Sequence, residues 1–137
     1  MSLMPSETLI AVADGHRARL FRNTGSDTRP QLREEADLVP QPNYDGPSGH
    51  QPPETSTQDI DEATFVKQVS DELYKRAHAN DFENLVIVAD PRTLGELRRL
   101  LHPQVRDKLR LELGKEMTKA SVDEIRDAVT RGFEHPH

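Results

Sequence analysis

The chain has 137 residues, the length of one ordinary domain, and carries 18 Lys and Arg against 24 Asp and Glu, a formal charge of −6. At 34% hydrophobic and 31% charged residues it is polar for a globular domain, so one core and at least one long solvated segment are expected, with no general attraction to nucleic acid or anionic membrane. The absence of cysteine excludes disulfides, thiol nucleophiles and zinc–thiolate sites, and the lack of a long apolar run or of a basic start leading into an apolar segment points to the cytoplasm and to no membrane partner.

In chain order, Met1-Ser2-Leu3 precedes a second methionine, Met4, and is set aside as a stretch that need not be native. Thr8 to Ala13 is a short apolar strand, Asp14-Gly15 is a strong turn signal, and Ala18 to Asn23 resumes with Leu20 and Phe21, so a hairpin is expected. Leu32 to Val39 supplies a third, weakly patterned strand. From Pro40 to Thr57 five of the ten prolines gather with Gly46 and Gly49 and almost no apolar residue. This segment cannot be core, and the chain is read as a single domain, 1–137, with a long Pro/Gly-rich loop at 40–60 inside it.

Asp59 or Asp61 can cap the helix that follows, and Asp59 with Glu62 has capping-box spacing. Phe65, Val66, Val69, Leu73 and Ala77 then fall on one helical face. Leu85 to Ala89 is an unbroken apolar run rich in β-branched residues, as suits a strand buried on both faces. Asp90-Pro91 stops it and starts a helix carrying Leu94, Leu97 and Leu101. Leu109, Leu111 and Leu113 alternate with polar residues and are read as a strand, although Leu109, Leu113 and Met117 also fit a helix. Ser121 with Glu124 is a capping box, and Val122, Ile125 and Val129 carry a last helix to about Phe133. Three strands as a meander, followed by strands joined through helices, imply an α/β fold with a mixed sheet in which the Leu85–Ala89 strand lies beside the first one.

The stretches VADGHRARLF (Val12 to Phe21), LVIVADPRTLGELRRLL (Leu85 to Leu101) and GKEMT (Gly114 to Thr118) resemble the bacterial "protein required for attachment to host cells" family over nearly the whole chain. The order of elements also resembles, more distantly, the central domain of archaeal and eukaryotic class 1 peptide release factors. That second resemblance implies a five-stranded, ribonuclease-H-like sheet of order 3-2-1-4-5 with its first three strands antiparallel. It also implies a Gly-Gly-Gln tripeptide in the long loop, where this chain has Gly49-His50-Gln51; histidine at the middle position restricts the backbone that glycine would allow.

Asp14 and Asp90 each end an expected central strand, and if those strands are parallel neighbours both carboxylates lie at the sheet edge where open α/β sheets bind ligands. With Glu62 or Asp61 as a third oxygen ligand they could hold Mg²⁺ for a phosphodiesterase or nuclease, although an Asp-Gly turn and an Asp-Pro cap already account for both residues. Arg17, Arg19 and Arg22 in the hairpin, and six cations against two carboxylates over 91–110, make a local basic surface. Arg17, Arg19, Arg92, Arg98 and Arg99, with His16 after the turn, are the candidate contacts to RNA or a ribosome, a solvated helix face being the plain alternative. Aromatic residues are too scarce for a stacking platform, and the six histidines lack metal-ligand spacing apart from the terminal His135-x-His137. The expectation is a non-catalytic cytoplasmic binding or regulatory module without a resident cofactor, a homo-oligomer being compatible. By resemblance it is linked indirectly to attachment; the rival is the metal phosphodiesterase on Asp14 and Asp90, or a remnant peptidyl-tRNA ester hydrolase on the loop.

Overall fold

A computed structural model describes residues 3–41 and 61–135. The elements are β1 (Leu9–Ala13), β2 (Ala18–Asn23), β3 (Leu32–Leu38), α1 (Glu62–His78), β4 (Leu85–Ala89), α2 (Pro91–Leu100), α3 (Pro103–Arg106), β5 (Leu109–Gly114) and α4 (Val122–Glu134). They form one five-stranded sheet of order β3-β2-β1-β4-β5. β2 pairs antiparallel with β1 and β3, while β4 runs parallel to both β1 and β5. The mixed sheet, its order and the central place of the Leu85–Ala89 strand are as the sequence leads one to expect.

Both central strands are buried at every position, which is why their sequences are apolar without alternation. Alternate residues nonetheless feed two separate cores. Leu9 and Ala11 of β1 with Leu85 and Ile87 of β4 meet Phe65 and Leu73 of α1, Leu94 and Leu97 of α2, and Val105 of α3. On the opposite face Ile10, Val12, Val86 and Val88 meet Met4 and the α4 residues Ile125, Val129 and Phe133. β3 is weakly patterned because most of it is exposed.

The helix boundaries are set by local chemistry. Asp61, not the Asp59–Glu62 box, caps α1, accepting from Thr64 N at 2.7 Å, so Glu62 opens the helix; Asp59 lies outside the described residues. At the other end Asn80 takes a left-handed φ of 57°, with Asn80 N donating to Ala77 O and Asp81 N to Arg76 O, the paired bonds of a Schellman turn. Ser121 and Glu124 form the expected reciprocal box on α4. The four-residue α3 is not foreseen by periodicity: Pro103 starts it, and His102 Nδ1 accepts from Gln104 N. Among the described residues no helix is long and apolar enough to cross a membrane.

Candidate functional site

Because Ala13 and Ala89 are register partners of parallel strands, Asp14 and Asp90 occupy the same edge of the sheet, as their positions after each strand require. Asp14 closes the hairpin. Its N–H donates to Arg17 O at 2.9 Å, while Oδ1 accepts from His16 N at 2.7 Å and Arg17 N at 2.8 Å. Its other oxygen, Oδ2, accepts from Thr118 Oγ1 at 2.9 Å. Thr118 is buried, its N–H donates to Glu116 Oε1 at 3.0 Å, and its hydroxyl also contacts that Glu116 oxygen. Arg19 holds the same segment, donating from Nη1 to the carbonyls of Thr118 at 3.1 Å and Ala120 at 2.9 Å.

Asp90 caps α2 through Oδ2, which accepts from Thr93 N at 3.1 Å; its Oδ1 is buried and has no hydrogen-bond partner among the described residues. Glu62, at the start of α1, lies over the hairpin. A Cβ added at Gly15 would fall 2.6 Å from Glu62 Oε1, so the glycine leaves room for the carboxylate, and Glu62 Oε2 lies 3.2 Å from Nε2 of the exposed His16. The edge thus gathers Asp14, His16, Glu62 and Asp90. Among the described residues, however, no group of three His, Asp or Glu side chains is arranged to hold a metal ion. Both oxygens of Asp14 face N–H or O–H donors.

The arginines are mostly engaged within the chain. Arg17 grips Asp37 with two bonds of 2.9 and 2.7 Å, a contact that draws the Asp37 carboxyl below its ordinary range against a smaller opposing effect of burial. Arg19 pairs with Glu34 at 2.9 Å, Arg98 with Glu112 at 2.6 Å, and Arg99 with Glu96. Arg92 is exposed at the start of α2, beside Glu62 and Thr93, and makes no ion pair among the described residues. Gly49, His50, Gln51 and His137 lie outside the described residues.

Reading the residues one at a time misses Thr118 and Glu116, which join the end of the chain to the hairpin; GKEMT is a motif of the resemblance, with no role attached to its threonine. It places Arg22 on the basic surface and misses its buried pairing: the side chain is 7% exposed, between Glu35 at 3.0 Å and Asp81 at 2.7 Å.

The model of one protein family, bacterial archaeo-eukaryotic release factor family 12, matches residues 7–129, from the residue pair before β1 well into α4. Twelve solved chains match. One of them, described as "Archaeal protein", superposes with a TM-score of 0.52 at 15% identity, over 93% of this chain and 38% of that one. At that identity the likeness is one of fold, and this chain spans less than half of the archaeal protein's length. No curated protein matches.

Proposed function

This chain belongs to bacterial archaeo-eukaryotic release factor family 12, and from that premise we propose that it is a non-catalytic, translation-related binding module of the cytoplasm. The observation that carries the non-catalytic half of this reading is the state of Asp14. Its two oxygens accept three hydrogen bonds from His16, Arg17 and Thr118, so the carboxylate best placed for chemistry serves the hairpin instead. The translation-related half rests on the family match. Its finer form is contact with RNA or the ribosome, and any link to attachment of bacteria to host cells then runs through translation.

The pairing of Arg17, Arg19, Arg98 and Arg99 with carboxylates shifts the expected phosphate contact to Arg92. Cosedimentation with ribosomes at about 50 mM and about 200 mM salt tests it, since phosphate contacts weaken steeply over that range. Parent protein should pellet at low salt and be released at high salt, and Arg92→Glu should pellet less at low salt. Equal pelleting of variant and parent would remove Arg92 from the reading, and no pelleting of either would remove the ribosome.

The enzyme reading keeps one observation in its favour, the buried Oδ1 of Asp90, which has no hydrogen-bond partner among the described residues. Thermal melts with Mg²⁺ or Mn²⁺ decide it. A metal-dependent rise in Tm that disappears in Asp14→Asn would support a phosphodiesterase; curves that do not move leave the binding module.

A further inference from the structure

β5 is an outer strand of the sheet, and a cavity of about 730 Å³ runs along it, between Arg98 of α2 and the Ala128–Gly132 turn of α4. Leu111 and Leu113 are half-buried there, packed against the α4 core. Gly132 lets the helix backbone approach them, since a Cβ at that position would fall 2.7 Å from Leu111 Cδ2 and 3.1 Å from Leu113 Cδ2. Around these leucines stand four cations and one carboxylate, Glu112. Arg98 takes Glu112, at 2.6 Å. Arg110 donates only to neutral acceptors, Asn84 Oδ1 at 2.8 Å and the carbonyls of Asp107 and Glu83, and the exposed Lys115 and Arg131 make no ion pair among the described residues. The groove is therefore positive in a chain whose total is −6.

We propose that this groove binds an extended segment of another protein, alternately acidic and apolar, added to the sheet as a strand beside β5. An outer strand presents backbone N–H and C=O groups that a further strand can pair; side chains of period two would place apolar residues over Leu111 and Leu113 and carboxylates on the alternate face with Arg110, while the exposed Lys115 and Arg131 at the rim of the groove add attraction for the segment's negative charge. The register shift between Leu85 and Val86 confines the β4–β5 irregularity to the start of β5, and Leu111 to Gly114 run in regular register with Val86 to Ala89. A second copy of this chain is a poor occupant. Antiparallel β5 strands would bring like cations together, and the acidic row of the opposite outer strand is already taken, Glu34 by Arg19, Glu35 by Arg22 and Asp37 by Arg17. Nucleic acid would meet a leucine floor that, among the described residues, has no Phe, Tyr or Trp on which to stack a base and only His135 as an aromatic ring.

The test uses the full chain and fluorescent peptides of about eight residues, the length of an ordinary strand. One alternates Glu and Val, one alternates Lys and Val, and one is the Glu–Val peptide with its backbone amides N-methylated. The Glu–Val peptide should bind by fluorescence anisotropy and slow hydrogen exchange at amides of β5. Its affinity should fall about tenfold in Lys115→Glu/Arg131→Glu, and the other two peptides should not compete. Both substituted side chains are exposed, and an unchanged Tm shows that the variant folds. Absence of Glu–Val binding, equal binding of the Lys–Val or N-methylated peptide, or full affinity in the variant would each overturn the proposal. So would self-association of the parent that the double variant abolishes, or an RNA oligomer that protects β5 where the peptide does not.

Discussion

The hydroxyl of Thr118 stands between the carboxylates of Asp14 and Glu116, and it has one proton to give. Replacing it with valine keeps the shape and removes that proton, leaving an Asp14 oxygen without its donor in a part-buried place. Thr118→Val should therefore cost about 1–3 kcal/mol, read as a lowered urea midpoint, and Thr118→Ser should recover most of it. Equal midpoints for valine and parent would mean that the contact contributes nothing. The contrast with Asp14 shows what a sequence exposes at this scale. Asp14 is legible because its partners His16 and Arg17 are its neighbours, and Asp-Gly is a turn whatever surrounds it. Thr118 is bonded across 104 residues, and a contact of that span leaves no local spacing to read. The basic surface is only partly legible for a related reason: a window count over 91–110 sees Arg98 but not Glu112, which β5 brings to it.

Along α2 and α4 two glycines test how closely each helix is packed. Gly95 lies inside α2 with nothing within 4 Å of where a Cβ would stand. Gly95→Ala should thus gain about 1 kcal/mol from reduced freedom of the unfolded chain and better helix propensity, measurable as a raised Tm. Gly132→Ala should lose stability by about 1–3 kcal/mol, because its Cβ meets Leu111 and Leu113 and those side chains must move. A stabilised Gly132→Ala would show that the α4–β5 contact is looser than these distances. Elements whose surroundings are uniform are the legible ones. β4 is buried throughout and reads as an apolar run; β5 is half-buried and reads as alternation. The short α3 has too few residues for any period, and its start depends on His102 acting as a cap, a role outside the usual capping residues.

Across the whole molecule, β2, β3, α1 and the approach to β4 are tied by one charged network. Arg22 contacts Glu35 and Asp81, and Arg76 contacts Glu35, Glu72 and Asp81. Burial alone would push the Glu35 carboxyl up, but hydrogen bonds and charges from Arg22 and Arg76 outweigh it and hold the group below its ordinary 4.5. Asp37 is lowered chiefly by its hydrogen bond to Arg17, Asp61 by the backbone N–H of Thr64 and Glu124 by that of Ser121. In all four the folded carboxyl is the stronger acid, so between the folded and unfolded values the unfolded chain binds more protons. Their contribution to stability is complete above the ordinary carboxylate values and disappears as pH falls through the lowered ones. Urea midpoints should accordingly be level from about pH 5 upward and drop below about pH 4. Glu35→Gln should lower the midpoint at neutral pH, because Arg22, 7% exposed, keeps only Asp81 as an ionic partner, and it should shallow the acid limb. An acid limb as steep in Glu35→Gln as in the parent would locate the pH dependence in the exposed caps and the Arg17–Asp37 pair rather than in the network that joins the two halves of the sheet.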